Sequence, residues 1–282
     1  MEQKNLPMLK EIARRALQED AARADITSQI LFDSKERATA EIIAKEEGVL
    51  CGAESAKLVF EMGDPHCKVK IHEKDGKRLE MGQKIMTISG NLQKLLACER
   101  TALNFLQHLS GVATLTAKFV AAVQGTKVQI YDTRKTIPGF RILQKWAVVC
   151  GGGKNHRMHL TEMAMVKDNH LKMLRSKPEL LLELKSKLPK NTRLVIEAKT
   201  HLEVELALKA NADIILLDNM SLRELKREIL NIRSQKPSTQ IEISGGIGLD
   251  SVKKMAHLDI DRISVGKLTH SAPALDISLE LE

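Results

Sequence analysis

From Lys127 onward, six short apolar runs recur, each closing on polar or glycine residues: KVQIYDT, MAMVKD, RLVIEAK, DIILLD, QIEISG and DRISVG. Stretches with helical spacing separate them, among them HLEVELALKAN, SLRELKREILNI and LDSVKKMAHL. Strands that alternate with helices are joined by right-handed crossovers and so lie parallel. Near-continuous apolar cores in strands this short indicate a sheet buried on both faces. Six such units between residues 127 and 266 predict a compact parallel α/β barrel, with a doubly wound open sheet as the alternative.

The first part of the chain has a different rhythm. Residues 7–20 carry Leu9, Ile12, Ala13, Ala16 and Leu17 at helical spacing, and in ADITSQI, Asp25 and Thr27 have the character of turn or cap residues. From Ala38 to Gly90 short β runs are broken by glycines, with a helix, AESAKLVFEMG, embedded among them. Alternation in KVKIHEKDG and the Asp75-Gly76 pair predict antiparallel strands joined by a tight turn. Leu92 to Gln124 reads as two helices with a break near Gly111, and the domain boundary is expected close to Ser110. This part forms an α+β layer of its own.

Composition narrows the functional classes. Of 282 residues, 43% are apolar and 28% charged, as in ordinary globular domains. With one Trp, one Tyr and five Phe, the core must be built from Leu, Ile, Val, Ala and Met. The four cysteines have no CxxC spacing and read as reduced thiols rather than a disulfide or zinc framework. No run approaches a membrane span and the amphipathic N-terminus lacks signal-peptide character, so a cytoplasmic location is expected. A pI near 9.2 permits nucleic-acid binding by bulk charge. The lack of a basic tail and the scarcity of stacking aromatics argue against it.

The charge is concentrated where the chemistry would lie. Tyr131 to Lys172 holds eight Lys/Arg against three acids, +5 of a net charge of +8, interrupted by apolar segments, a Pro-Gly turn and a triple glycine. Folding can gather these cations around a small, multiply anionic ligand. The strand ends supply Asp132 and Arg134, Lys167 and Asp168, Glu197, Asp218, Ser244-Gly245-Gly246 and Gly266. In parallel barrels the C-terminal strand ends face the active site. Singly, any such acid can cap the next helix; as a ring of alternating sign they imply a site. SGGIG and SVGKLTH follow the last two strands, where barrels commonly bind a phosphate on backbone N–H groups. Glu197 and Asp218 could hold Mg²⁺ beside a diphosphate, or pair with Lys or Arg across the mouth. His156, His159 and His170 sit among cations, which suits anion binding better than metal binding.

Several segments appear together in order: ERTALNFLQHLSG (99–111), DTRKTIPGFR (132–141), GGGKNHR (151–157), VKDNH (166–170), LLDN (216–219), SGGI (244–247) and VGKLTHSAPALDISL (265–279). Over essentially the full chain, from about residue 17 to 279, they resemble the quinolinate phosphoribosyltransferase family, also called carboxylating nicotinate-nucleotide pyrophosphorylase. The resemblance implies synthesis of nicotinate mononucleotide from quinolinate and phosphoribosyl pyrophosphate, with Mg²⁺, releasing pyrophosphate and CO₂. It implies an N-terminal open-faced α/β sandwich (1–110), a C-terminal incomplete, TIM-like parallel α/β barrel (111–270), and a tail (271–282) that packs back on the first domain. It also implies a homodimer, or a higher oligomer, with sites shared between subunits.

By motif, Arg134, His156 and Arg157 would grip the quinolinate carboxylates, and Arg100 would reach in from the neighbouring subunit. Lys135 and Lys167 would lie between quinolinate and the phosphoribosyl diphosphate. Glu197 and Asp218 would serve the ribose hydroxyls and Mg²⁺. Ser244, Gly245, Gly246, Gly266 and His270 would lie near the 5′-phosphate. Lys135, Lys167, Glu197 and Asp218 are the catalytic candidates. One departure stands out: where the family often has E-V-E-V-[ED], this chain has V-I-E-A-K, so Val195 and Lys199 replace the outer acids. The rival readings are a paralogue of the same fold with another acceptor, a Schiff-base aldolase with Lys167 as nucleophile, and a basic RNA-binding protein.

Overall fold

The computed structural model describes residues 5–282. Helices α1 (Leu6–Glu19) and α2 (Ile26–Leu31) precede strands β1 (Arg37–Ala44) and β2 (Gly48–Val49), helix α3 (Ala53–Gly63) and strands β3 (Lys68–Ile71), β4 (Arg78–Leu79) and β5 (Lys84–Asn91). The long α4 (Leu92–Ala122) leads to β6 (Gln129–Tyr131), α5 (Arg141–Cys150), β7 (Ala164–Val166), α6 (Asp168–Leu174) and α7 (Pro178–Lys187). The remainder is β8 (Leu194–Ala198), α8 (His201–Lys209), β9 (Ile214–Asp218), α9 (Leu222–Gln235), β10 (Gln240–Ser244), α10 (Leu249–Met255), β11 (Arg262–Ser264), α11 (Lys267–His270) and β12 (Ile277–Leu281). Contacts divide the chain into two compact units. One holds the described residues up to Ala117, Thr136–Gly152 and Leu268–Glu282; the other holds Lys118–Lys135 and Gly153–Lys267. By contacts, the C-terminal residues group with the first unit, and so does α5.

In the first unit an antiparallel sheet runs in the order β12-β1-β5-β3. Alternation in RATAEIIA buries Ala40, Ile42 and Ala44 and leaves Thr39, Glu41 and Ile43 partly exposed, so one sheet face is covered and the other open. Helix α3 packs on β3 and β5 through its buried Ala56, Val59 and Phe60, and α1 packs on α3. Full burial of side chains such as Ile42, Ile88 and Phe60 contributes about 1.5–3 kcal/mol each. Asp25 caps α2 by accepting from the backbone N–H groups of Thr27 and Ser28.

Two local expectations are corrected here. The strands flanking Asp75-Gly76 do not form a hairpin: β3 pairs with β5, and β4 pairs with β2. The Asp75 carboxylate is engaged elsewhere, accepting from Gly52 N, Ala53 N and Trp146 Nε1, so the turn serves the start of α3. Nor does Gly111 break a helix, because α4 runs through it unbroken. A Cβ there would stand 1.9 Å from the Pro273 carbonyl oxygen, so glycine is required by the close approach of the returning chain. The four cysteines are free, and Cys51 and Cys150 come together beside Asp75 with ligand atoms within 4.8 Å of one another.

In the second unit six parallel strands run in the order β6-β11-β10-β9-β8-β7. Renumbered along this unit, the order is 1-6-5-4-3-2, the cyclic order of a barrel left open between its first and second strands. A doubly wound sheet would instead spread both ways from a central strand. The strands are buried along most of their length, as in IILLD of β9, whose first four residues are all buried. Helices α8 and α9 start with capping boxes, Thr200 with Glu203 and Ser221 with Glu224, which stop each strand cleanly and turn the chain. Among the described residues no helix is long and apolar enough to cross a membrane.

Buried Asp64 ties the end of α3 to the β5–α4 junction, accepting from His66 N, Asn91 N and Lys94 Nζ. Burial alone would raise its carboxyl, but these donors outweigh burial and hold it below the ordinary aspartate value of 3.8. A carboxyl depressed by folding stabilises the fold above its unfolded pKa, and that contribution is lost as pH falls through the folded pKa. Asp64→Ala should therefore lower unfolding free energy at neutral pH by about 1.5–3 kcal/mol. In urea titrations the gap to the wild type should close below pH 3.8; a gap that persists at acid pH would contradict this account.

Candidate active site

The mouth of the barrel is built by alternation. Successive strand side chains point to opposite faces, so residues two apart share a face. Met165 and Lys167, Glu197 and Lys199, Leu216 and Asp218, Glu242 and Ser244, and Ser264 line one cavity of about 520 Å³. Strand register sets their heights: Glu197 pairs with Leu216, Leu216 with Glu242, and Asp218 with Ser244. Beneath the charged groups, Met163, Met165, Val195, Ile214 and Leu216 pack into an apolar floor.

The first strand brings the cations. Thr133, Arg134 and Lys135 follow β6 and line the cavity. On the edge of β6 away from β11, the segment after the triple glycine pairs in parallel: Lys154 N donates to the Ile130 carbonyl and Asp132 N to the Lys154 carbonyl, at 2.8 and 3.0 Å. In a closed barrel β7 would occupy that edge. The buried Asp132 carboxylate accepts from His156 N at 2.8 Å, which turns His156 and Arg157 into the cavity wall. His156 Nδ1 accepts from Arg157 N, so its other nitrogen, Nε2, carries the proton and faces Glu242 Oε1 at 3.5 Å.

Glu242 is fully buried and also accepts from the Ser264 hydroxyl. Burial would raise its carboxyl, but His156, then Ser264 and Arg262, hold it below the ordinary glutamate range. Arg157, 8% exposed, donates to the Met163 carbonyl. Burial and then the neighbouring charge of Arg134 pull its guanidinium down. Arg134 Nε is buried with no hydrogen-bond partner among the described residues. Two crowded guanidiniums, one with a buried donor unmatched, call for an anion.

The opposite wall is acidic. Burial, then the charge of Asp218, raises the Glu197 carboxyl, which marks a carboxylate group short of positive charge. Lys199 Nζ stands among these acids, 2.8 Å from Asp168, 3.7 Å from Asp218 and 3.9 Å from Glu197. The hydrogen bond to Asp168 raises the Lys199 ammonium and lowers the Asp168 carboxyl. Oxygen-only donors from Glu197 and Asp218 fit Mg²⁺, which takes few protein ligands and shares substrate oxygens. At the third side, Asn219 adopts a left-handed φ of 55° and its N donates to the Ser244 carbonyl, fastening the ends of β9 and β10. A Cβ on Gly245, itself at φ 94°, would lie 2.3 Å from Asn219 Oδ1, so only glycine fits.

Of the residues singled out in the sequence, Arg134, Lys135, His156, Arg157, Lys167, Glu197, Asp218, Ser244, Gly245 and Gly246 line this one cavity. Gly266 follows β11 and is outside its lining. Arg100, on α4, and His270, at the end of α11, are exposed residues of the first unit. His170 caps its own helix, Nδ1 accepting from Lys167 N. Glu242, Ser264, Thr133 and Asn219 are added by the structure. The signal for Glu242 lies in QIEIS, where Gln240, Glu242 and Ser244 share a face against Ile241 and Ile243.

The second unit is a parallel barrel whose cavity sets a cationic wall against an acidic one, the architecture of an α/β-barrel enzyme site. Two family models match the chain: the quinolinate phosphoribosyl transferase N-terminal domain over residues 25–110 and its C-terminal domain over residues 112–280. The chain belongs to the quinolinate phosphoribosyltransferase family. It is 37% identical to the nicotinate-nucleotide pyrophosphorylase [carboxylating] of Mycobacterium leprae (strain TN), over 96% of each chain. It is 36% identical to the mitochondrial quinolinate phosphoribosyltransferase [decarboxylating] 2 of Nicotiana glauca, covering 97% of this chain and 82% of that one. The crystal structure of NadC from Streptococcus pyogenes superposes with a TM-score of 0.91 at 36% identity, covering 100% of this chain and 99% of that one.

Glu242→Ala should lower unfolding free energy by about 3–5 kcal/mol, because it leaves buried polar partners uncompensated. Glu242→Gln, which keeps an acceptor for His156 and Ser264, should lose less. Wild-type stability of Glu242→Ala in urea denaturation would contradict the role given to this buried carboxylate.

Proposed function

We propose that the mouth of the barrel binds quinolinate and phosphoribosyl pyrophosphate and joins them with loss of pyrophosphate and CO₂, giving nicotinate mononucleotide for NAD biosynthesis. Family membership supports the reaction, and the Arg134–Arg157 pair carries the assignment of the site. Guanidinium forks match planar carboxylates with two parallel hydrogen bonds, and a pyridine diacid offers two such groups. His156, held by Asp132 and Glu242, presents a fixed imidazole beside them.

Departure of the diphosphate from the ribose leaves positive charge on the sugar, as in other oxocarbenium-like glycosyl transfers. Glu197 and Asp218, fixed on adjacent strands, stabilise that charge and receive the ribose hydroxyls. Lys135 and Lys167 take up the negative charge of the leaving diphosphate. Mg²⁺ held by Glu197 and Asp218 would supply further neutralisation of the diphosphate. Ser244 and the backbone of Gly245 and Gly246, together with Gly266, receive the 5′-phosphate. The pyridine nitrogen is itself the nucleophile, so the protein need provide none. Once quaternised, the ring stabilises the electron pair left on its carbon when the adjacent carboxylate departs as CO₂, and that carbon takes up a proton from water.

The working unit we propose is a homodimer, or a higher oligomer of such dimers, in which Arg100 of one subunit completes the site of the other. Ile26, Ile30 and Leu31 of α2 are 66–75% exposed, an apolar patch that a second copy would cover. Free thiols fit a reducing compartment, and the cytoplasm is the proposed location.

Release of CO₂ from quinolinate and of pyrophosphate from phosphoribosyl pyrophosphate, with nicotinate in place of quinolinate as control, tests the reaction; its absence would overturn the assignment. Arg134→Ala and Arg157→Ala should each lower kcat/KM for quinolinate by roughly a hundredfold or more. Normal kinetics in either would exclude these residues from the carboxylate grip. Mixing Arg100→Ala with Arg157→Ala subunits should restore about a quarter of the activity if pairing is random. No recovery in mixed dimers would argue against shared sites.

A further inference from the structure

Lys199 follows Glu197 by two residues, so alternation carries its side chain to the same face, one step further toward the mouth. There its ammonium meets carboxylates from three successive strand ends: Asp168 after β7, Glu197 on β8 and Asp218 on β9. Its +1 charge, with that of Lys167 nearby in the same cavity, faces three −1 groups, and only Lys199 reaches all three within 4 Å. The same oxygens are the ones a divalent cation would use, and an ammonium within 4 Å of them repels such an ion at close range. The side chain is 41% exposed and tethered only at its far end, so it can withdraw toward solvent when stronger ligands arrive.

We propose that Lys199 is a positioning residue that acts as a tethered counter-ion, filling the acidic wall of the free enzyme and excluding divalent metal until diphosphate oxygens enter. This rests on the reading of the mouth as a diphosphate site. The metal is then recruited with the diphosphate rather than beforehand. The carboxylates meanwhile stay oriented without a bound ion. In this chain the acidic wall therefore carries a built-in cation bridging its carboxylates, and the free protein has little affinity for Mg²⁺.

The test uses Mn²⁺ as probe and no substrate. Binding to the purified full chain is followed by electron paramagnetic resonance of free Mn²⁺, for the wild type, Lys199→Met and Lys199→Arg. Circular dichroism confirms that each variant is folded. Lys199→Met should bind Mn²⁺ at least about tenfold more tightly than the wild type, because one nearby positive charge is gone. Lys199→Arg, which keeps that charge, should remain weak. Adding Asp218→Asn to Lys199→Met should abolish the gain, placing the ion on the acidic wall. Equal Mn²⁺ affinity in the wild type and Lys199→Met, or a gain that survives Asp218→Asn, would overturn the proposal. Failure of the underlying reading is seen separately, as absence of quinolinate-dependent pyrophosphate release by the wild type, which Mn²⁺ binding does not measure.

Discussion

The pairing of Lys154 with Ile130 and Asp132 along the open edge of β6 is the contact on which the site depends. A barrel missing the pairing of its first and second strands would leave a row of unmatched backbone groups at that edge. Here a short segment after three glycines takes part of the missing place, and its backbone hydrogen bonds set where the next residues stand. The Asp132 carboxylate then holds His156 N, and His156 and Arg157 are delivered to the cavity wall. Leaving the strands unpaired thus makes room for the basic wall. The basic side of the site follows from an incomplete ladder.

The acidic side follows from the complete part of the sheet. β8, β9 and β10 are in tight parallel register, so Glu197, Asp218, Glu242 and Ser244 stand at heights determined by backbone hydrogen bonds. Met163, Met165, Val195, Ile214 and Leu216 pack together as the apolar floor beside them. Burial on this floor raises the Glu197 carboxyl, while specific donors depress the still more deeply buried Glu242. Two carboxylates on neighbouring parts of one sheet therefore have opposite shifts. Partners, more than depth, set the sign.

Much of this was legible in the linear chain. All six barrel strands were readable from apolar runs, and the strand-end rule pointed to Arg134, Lys167, Glu197 and Asp218. The failures have specific physical sources. Asp75-Gly76 carries a hairpin signature, yet Asp75 is engaged at the start of α3 and with Trp146, so the turn joins strands that pair elsewhere. Gly111 has the character of a helix breaker, yet it is demanded by the Pro273 carbonyl, more than 160 residues away. Glu242 sits in the middle of an apolar strand, and its importance depends on His156 and Ser264 from other elements.

By itself the sequence determined where strands and helices form, which face of each strand is polar, and which family the motifs resemble. Those properties are local: periodicity, capping and glycine placement act over a few residues. Only the tertiary structure decided which barrel edge stays open, that α5 belongs with the first unit, and that Lys199 comes within 4 Å of three carboxylates. These outcomes turn on register and on distances between residues far apart in the chain. A shift of one residue in β8 would turn Glu197 and Lys199 away from the cavity without altering any local pattern.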